Sequence, residues 1–254
     1  MNTVTNIQDS IKNKEKIHFI FDYDGLITPY MRTSASLFFS PMFKRVIENF
    51  AKKEFINVSL LTNKRIKTFK KECSISSENI SIYGNFGAEK EINSIQSYNL
   101  DEEYKKFIKK LTSKIRKEIP NPKIIMENED WSIILYTKNL SEADFKSLKK
   151  YLGETRKKYV NEIDLDIKFS QNKVELFNPA FSKINLIKNL ETSNKDASFI
   201  YVGSDEDVFK QLSKLGGTSL KIINPGDPTD TSANIIMYKS KFEEFLADTN
   251  NLYI

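Results

Sequence analysis

Two aspartates stand one residue apart, directly after an apolar run. The segment Phe21-Asp22-Tyr23-Asp24-Gly25 follows Ile17–Phe21, which predicts a buried strand. In open α/β sheets, ligands bind beyond the carboxyl ends of the strands, and Gly25 permits a sharp turn there. Two carboxylates this close repel each other, so the pair needs a cation or a protonated member. A hard divalent ion with oxygen ligands satisfies this need, whereas the ordinary alternative is a turn with exposed aspartates.

Three further polar groups fall at predicted strand ends or helix starts. Thr62 and Asn63 follow the apolar run Asn57–Leu61, where a hydroxyl and backbone N–H groups can hold a phosphate oxygen. Lys183 begins a predicted helix, and the acidic segment Gly203–Asp207 joins a predicted strand to another helix. Each group alone also has an ordinary explanation: Thr62 is a common helix cap, Lys183 could face solvent, and acidic residues are frequent in the first turn of a helix. Their combination favours a site that handles phosphate.

The elements that must position these residues alternate along the chain. Apolar runs at Ile17–Phe21, Asn57–Leu61 and Ile80–Tyr83 predict strands, and amphipathic segments between them predict helices. This alternation predicts an α/β fold, a Rossmann-like parallel sheet with helical crossovers. The same alternation resumes near the end, with the predicted elements Ser182–Leu190, Ser198–Val202, Asp205–Leu215, Ser219–Ile223 and about Lys239–Asp248.

The middle of the chain has a different pattern, in which strands are joined by hairpins rather than crossovers. Two helices and two pairs of adjacent strands are predicted there, at Asp101–Glu118, Lys123–Glu127, Trp131–Thr137, Ser141–Tyr159, Ile163–Phe169 and Lys173–Phe177. We interpret this α+β block as an inserted domain. The expected division is a core domain of residues 1–95 and 175–254 and a cap domain of residues 96–174.

Composition excludes several kinds of site. The single cysteine, Cys73, and the single histidine, His18, cannot form a zinc site of the usual kind, and a Ser-His-Asp triad would have to use His18. We expect His18 to be structural. The net charge of +5 comes from lysines interleaved with glutamates, which is typical of solvated helix faces and not of a nucleic-acid site. No apolar run approaches a membrane span and the N-terminus lacks a signal pattern, so we expect a cytoplasmic protein without nucleic-acid or membrane partners.

The order of these motifs resembles the haloacid dehalogenase superfamily of phosphohydrolases. Over nearly its full length the chain looks like the trehalose-phosphate phosphatases within that superfamily. The further segments that carry the resemblance are Ser40-Pro41-Met42, Tyr83–Glu89, Trp131-Ser132-Ile133, Val174-Glu175-Leu176, Tyr201–Phe209 and Thr231-Ser232-Ala233. The block of hairpins and two helices is similar to the cap of that family.

The resemblance implies a magnesium-dependent phosphatase that acts on a small phosphorylated sugar such as trehalose 6-phosphate. It implies that Asp22 is the nucleophile, that Asp24 is the general acid and base, and that Thr62 and Lys183 hold the transferred oxygens. The implied Mg²⁺ ligands are Asp22, Asp24 through its backbone carbonyl, and Asp205. The implied substrate-binding residues are Gly25, Asn63, Glu129, Trp131 and Glu175. We expect a sugar-phosphate synthase as a protein partner.

Departures from the family pattern occur in both parts of the chain: in the cap, the sugar-binding Lys, His and Arg positions correspond to Glu129, Tyr136 or a neighbour, and Lys138, and in the core three positions differ. Leu26 replaces a threonine, Phe86 replaces a histidine, and Ser204 stands where an aspartate directly follows the glycine. The acid loop is also about three residues short. Either Asp205–Asp207 match the later acids of the motif and the first metal ligand is missing, or Asp205 takes over that role. The departures leave a second function open, a non-catalytic relative that binds a sugar phosphate and regulates a partner.

Overall fold

The computed structural model contains two sheets, each with its own helices. None of the helices in the described part of the chain is long and apolar enough to span a bilayer. The structure describes residues 3–13, 15–26, 41–73, 75, 78–99, 102–159, 162–170, 172–223 and 225–251. The predicted segment Ser40-Pro41-Met42 is therefore described only from Pro41 on.

The larger sheet has eight strands in the order β12-β11-β10-β1-β2-β3-β4-β5. The strands from β12 to β3 are parallel, which confirms the predicted Rossmann-like sheet, and β4 and β5 extend it as antiparallel strands that the sequence did not predict. The strands are β1 Ile17–Asp22, β2 Ile56–Leu61, β3 Ile80–Gly84, β4 Glu89–Ile92, β5 Ile95–Tyr98, β10 Ser198–Gly203, β11 Thr218–Ile223 and β12 Ile235–Tyr238.

Helices cover both faces of this sheet. On one face Phe43 and Phe242 pack with the apolar side chains of β1 and β2, and on the other Ile187 and Val208 pack with Tyr201. Because both faces are covered, all six residues of β1 are buried, as is typical of a central parallel strand. The helices of this unit are α1 Thr3–Lys12, α2 Tyr23–Leu26, α3 Pro41–Phe50, α4 Ile66–Glu72, α7 Lys183–Ser193, α8 Glu206–Lys214 and α9 Lys239–Asn251.

The smaller sheet is the predicted α+β insert. Its strands are antiparallel and lie in the order β6-β7-β9-β8, with the two helices packed on one face through Leu111 and Leu148. This arrangement confirms the predicted α+β cap. Its elements are α5 Glu102–Glu118, β6 Ile125–Asn128, β7 Ile133–Tyr136, α6 Glu142–Tyr159, β8 Asp166–Phe169 and β9 Lys173–Phe177.

Several predicted element limits are too wide. Strand β6 begins at Ile125 instead of Lys123, β7 begins at Ile133 instead of Trp131, and β8 begins at Asp166 instead of Ile163. The predicted domain limits after residues 95 and 174 each fall inside a hydrogen-bonded strand, β5 and β9. A strand held in a ladder does not divide between two domains, so we propose that the cap begins after Tyr98 and ends after Phe177.

Strand β1 lies where the strand order of the larger sheet reverses. It pairs in parallel with β10 on one side and with β2 on the other, so the carboxyl ends of all three strands meet at one edge. This is the switch point at which doubly wound sheets bind ligands. Asp22 ends β1, Thr62 follows β2, and Ser204 follows β10.

Candidate active site

Asp22 is the innermost carboxylate of the site. It is 1% exposed, and both of its oxygens accept hydrogen bonds from Lys183 Nζ, at 2.8 and 2.7 Å. The hydroxyl of Tyr201 donates to Asp22 Oδ2 at 2.6 Å. A buried carboxylate is stable only when it is paired and hydrogen-bonded, and these two side chains satisfy that requirement.

Gly203 allows Tyr201 to reach Asp22. Residues two apart on a strand share a face, so the ring of Tyr201 leans over Gly203 towards β1. A Cβ atom on Gly203 would lie 2.6 Å from the Tyr201 hydroxyl and 2.8 Å from Asp22 Cβ. Tyr201 was not among the predicted site residues. The tyrosine two residues before a glycine at a strand end was the available signal.

Lys183 is a buried cation with several carboxylates nearby. It begins α7 after Ser182, whose side chain caps that helix by accepting from the backbone of Asn185. Burial favours the neutral amine, but the charges of nearby acids outweigh burial and raise the pKa of Lys183 above its ordinary value. Those acids are Asp22, Asp24, Asp205 and Glu175. Lys183 is therefore charged at neutral pH.

Asp24 binds the polar groups that follow β2. Its Oδ2 accepts from Thr62 Oγ1 at 3.0 Å and from the backbone N–H of Asn63 at 2.6 Å. Thr62 and Asn63 are 1% and 2% exposed, so both donors are fixed within the protein interior at the edge of the cleft. Gly25, the residue after Asp24, lies in the short helix α2. The structure thus brings together Asp22, Asp24, Thr62, Asn63 and Lys183 as predicted.

Glu175 is the cap residue that contacts the same site. It lies on β9, is 2% exposed, and accepts hydrogen bonds from the side-chain amide of Asn63 and from Lys173 Nζ, the latter at 2.7 Å. Burial favours a neutral amine at Lys173, but the charges of Glu175 and Asp24 outweigh it and raise the pKa of Lys173. Glu175 therefore faces the core carboxylates from the cap side.

The other two predicted cap contacts lie elsewhere. Glu129 accepts from the backbone N–H of Arg65 at 2.8 Å and from Thr68 Oγ1 at 3.2 Å, and burial raises its pKa. Trp131 packs with Tyr98, with ring centroids 5.2 Å apart. Neither residue belongs to the lining of the cleft. Sugar binding by Glu129 and Trp131 remains a prediction, and their contacts favour a role in joining cap to core.

Asp205 forms an ion pair with the cap. Its Oδ1 accepts from the backbone N–H of Asp207 at 3.2 Å, which caps α8, and its Oδ2 accepts from Lys168 Nζ at 2.7 Å. Burial raises the pKa of Asp205, but the charges of Lys183 and Lys168 outweigh burial and lower it. The next acid, Glu206, turns away to accept from Thr231 and Lys221.

The side chains of the predicted magnesium ligands are each bonded to other groups of the protein. Asp22 is bonded by Lys183 and Tyr201, and the side chains of Asp24 and Asp205 accept from other protein donors. Among the residues that the structure describes, no three acidic, histidine or cysteine side chains are grouped closely enough to hold a metal ion. Mg²⁺ is usually held by one or two carboxylates together with water and substrate phosphate, so a site formed by Asp22, the backbone carbonyl of Asp24 and Asp205 stays a prediction.

A cleft between the two sheets opens onto these residues. Its volume is about 1710 Å³, above the range of about 300–1,000 Å³ that is usual for small-molecule pockets. Its lining includes Asp22, Asp24, Asn63, Glu175 and Lys183. Phe86, which replaces the expected histidine, also lines it. Phe86 has a φ of 61°, strained for an aromatic residue, and stacks on Phe177 of β9 at 4.5 Å between ring centroids. This stacking joins core and cap beside the cleft.

The fold is shared with solved phosphatase structures. The C-terminal domain of C. albicans trehalose-6-phosphate phosphatase aligns with a TM-score of 0.77 at 12% identity, over 98% of this chain and 97% of that one. A trehalose-6-phosphate phosphatase related protein gives a TM-score of 0.73 at 14% identity, over 92% of this chain and 97% of that one. The C-terminal domain of the Candida albicans trehalose synthase regulatory protein gives 0.71 at 12% identity, over 94% and 97%.

Sequence comparison alone finds no such relative. No protein-family model matches the chain, and no curated protein matches its sequence. At identities of 12–14% the structural likeness establishes the fold. The chain therefore has the haloacid dehalogenase fold with a cap, in the divergent form that the motifs indicated.

Proposed function

We propose that the chain binds a phosphorylated sugar in the cleft between the two sheets and turns it over slowly or not at all. The phosphoryl group would lie at Asp22, Thr62 and Lys183, and the sugar would lie beneath the cap at Glu175. The observation that carries the proposal is that Asp22 is bonded on both oxygens by Lys183 and on one by Tyr201. These three hydrogen bonds oppose an attack of the Asp22 carboxylate on phosphorus.

The phosphoryl end of the cleft offers the donors that a phosphate needs. The ammonium of Lys183 is charged, and the Thr62 hydroxyl and the Asn63 N–H are fixed at the carboxyl end of β2. Charge-assisted hydrogen bonds from such groups are stronger than neutral ones. They support binding of a phosphate monoester at this end.

The sugar end is supplied by the cap. Glu175, Lys173 and Tyr136 line the cleft on the cap side and carry acceptors and donors suited to sugar hydroxyls. Similar structures include a trehalose-6-phosphate phosphatase, so trehalose 6-phosphate is the first phosphorylated sugar to test. The breadth of the cleft leaves room for a disaccharide.

The protein partners that the acids of the site already have support binding without turnover. Phosphate-monoester hydrolysis is extremely slow without a catalyst, and metal ions supply much of the charge stabilisation in enzymes that perform it. Here Ser204 follows Gly203, and Asp205 is paired with Lys168. Asp205 would have to leave Lys168, and Asp22 would have to loosen its pairing with Lys183, before they could hold Mg²⁺, which favours binding over turnover.

A regulatory role follows from such binding. A chain that closes its cap on a sugar phosphate without consuming it can report the concentration of that compound to a partner. We therefore propose a sugar-phosphate synthase as its partner. The similar fold of a trehalose synthase regulatory protein supports this choice.

Hydrolysis is the second candidate, and the placement of two aspartates favours it. Asp22 would attack phosphorus in line to give an aspartyl-phosphate, and Asp24, two residues on, would protonate the leaving sugar oxygen and then activate water. Thr62 and Lys183 would hold the oxygens on which charge accumulates. Before this reaction, the hydrogen bond between Asp22 and Tyr201 and the one between Asp24 and Thr62 would have to break.

Calorimetry and phosphate release together test the proposal. Titration of the full chain with trehalose 6-phosphate and other hexose and disaccharide phosphates should give binding for at least one of them, and for none of the unphosphorylated sugars. Release of phosphate in Mg²⁺ buffer should be no faster for the wild type than for Asp22→Asn. Release that Asp22→Asn abolishes would overturn the binding proposal in favour of hydrolysis, and absence of any binding would overturn both.

A further inference from the structure

Asp24 differs from the other carboxylates at the centre of the cleft. Asp22, Glu175 and Asp205 each accept from a lysine, namely Lys183, Lys173 and Lys168 in that order. The hydrogen bonds described for the Asp24 carboxylate come instead from two neutral donors, the hydroxyl of Thr62 and the backbone N–H of Asn63.

Those two donors have no other acceptor in the described contacts. The backbone N–H of Thr62 donates to Tyr83 O at 2.9 Å, and the hydroxyl oxygen of Thr62 accepts from the N–H of Lys64 at 3.1 Å. The remaining hydroxyl proton and the Asn63 N–H both point at Asp24 Oδ2. The end of β2 therefore holds a small, half-buried position for an anion, and the Asp24 carboxylate already fills it.

The charges around this position are suited to a phosphate as well as to a carboxylate. The negative charge of Asp24 is close enough to Lys183 and Lys173 to raise the pKa of both. A phosphoryl oxygen at the same donors would lie in the same field. Two anions cannot share the donors, because like charges at hydrogen-bond distance repel strongly and each N–H or O–H serves one strong acceptor.

We infer that the carboxylate of Asp24 stands in for a phosphoryl oxygen, and that a phosphate ester binds by displacing it from Thr62 and Asn63. The inference rests on the proposed binding of a phosphorylated sugar and adds a built-in competitor to it. Asp24 thus weakens binding, whereas a residue that holds the ligand would strengthen it. The competitor sets the ligand concentration at which the cleft fills.

Removal of the carboxylate should therefore tighten phosphate binding. Asp24→Ala frees both donors and deletes one negative charge, and we expect the Kd for inorganic phosphate to fall about tenfold. Asp24→Asn keeps the shape of the side chain and deletes only the charge, so we expect a smaller fall in the same direction. Asp24→Asn also guards against a folding defect in the alanine variant.

A matched control separates loss of charge from release of the donors. Asp207→Ala removes a carboxylate from the lining of the same cleft, but Asp207 is exposed and does not contact Thr62 or Asn63. We expect its Kd for phosphate to change by less than about threefold. Thr62→Val in the Asp24→Ala background removes one freed donor and should return the Kd towards the wild-type value.

The experiment is titration calorimetry of the wild type and the four variants with inorganic phosphate and with trehalose 6-phosphate, each protein being checked for folding by its thermal midpoint. Tighter binding by Asp24→Ala and Asp24→Asn, but not by Asp207→Ala, supports the inference. Unchanged or weaker binding by both Asp24 variants overturns it, while the wild-type affinity still supports the proposed function. An equal gain from Asp207→Ala also overturns it, because net charge alone would then explain the effect.

Discussion

Replacement of Lys183 by methionine should destabilise the protein strongly. Methionine keeps most of the volume of the lysine side chain and removes the ammonium that bonds both oxygens of Asp22. Asp22 is 1% exposed, so its charge would remain buried, and among the contacts that the structure describes the hydroxyl of Tyr201 would be its remaining partner. We expect a loss of about 3–5 kcal/mol in the free energy of unfolding, the usual cost of an uncompensated buried charge.

Two companion variants resolve the origin of that loss. Asp22→Asn leaves Lys183 charged, but other carboxylates still surround it, so we expect a smaller loss of about 1–2 kcal/mol. The double variant Asp22→Asn with Lys183→Met leaves neither charge and should be more stable than Lys183→Met alone. Lys188→Met, at an exposed position of the same helix, should change stability by less than about 0.5 kcal/mol.

Urea unfolding followed by circular dichroism is the assay. The midpoint should fall for Lys183→Met at an unchanged slope, and the thermal midpoint should fall by roughly 10 °C for a chain of this size. If Lys183→Met costs no more than the Lys188→Met control, Asp22 does not depend on Lys183 for its burial. The pairing that carries the proposed function would then be refuted.

Two further predictions concern backbone space and pH. Gly203→Ala should lower the free energy of unfolding, measured in urea, by about 1–3 kcal/mol or more, because the added methyl group would overlap Tyr201. The control Gly153→Ala, a helix position with nothing within 4 Å of the added Cβ, should raise it by up to about 1 kcal/mol. Similar values for the two variants would contradict the tight contact at Gly203. Burial lowers the pKa of His18 from 6.5 to about 4. As the pH falls from 6.5 towards 4, the unfolded chain therefore binds a proton at His18 while the folded chain does not, and the folded state loses stability over this range. Between pH 7 and pH 5 the titration of His18 should lower the free energy of unfolding by about 2 kcal/mol, and urea titrations of His18→Gln at the two pH values should lack this loss. An equal pH dependence in the variant would show that His18 is not the group responsible.

Much of the core could be predicted from the sequence because chemistry and hydrophobic pattern coincide there. Asp22, Thr62 and Lys183 lie at strand ends or helix starts, and a parallel sheet brings such positions to one edge whatever the loops do. The predicted hairpins of the cap were likewise fixed by alternating apolar residues around short turns, and their antiparallel pairing is confirmed.

The residues that alter the site were harder to predict. In the sequence, Tyr201 has the pattern of another buried strand residue. Its hydroxyl reaches Asp22 because the ring packs over Gly203, which has no side chain. Lys168 lies in a lysine-rich cap, and its pairing with Asp205 depends on how the cap meets the core, which no local pattern specifies. The antiparallel strand β4 escaped prediction because it is four residues long and polar.

Phosphorus-31 nuclear magnetic resonance of trehalose 6-phosphate, mixed with the full chain in buffer containing Mg²⁺, tests the central claim most directly. One spectrum reports binding, through the shift and width of the ester resonance, and a time course reports hydrolysis, through growth of the inorganic phosphate resonance. We predict a shifted or broadened ester resonance and no growth of inorganic phosphate beyond that seen with Asp22→Asn. An ester resonance identical to that of the free compound, or inorganic phosphate that grows only with the wild type, would contradict the account.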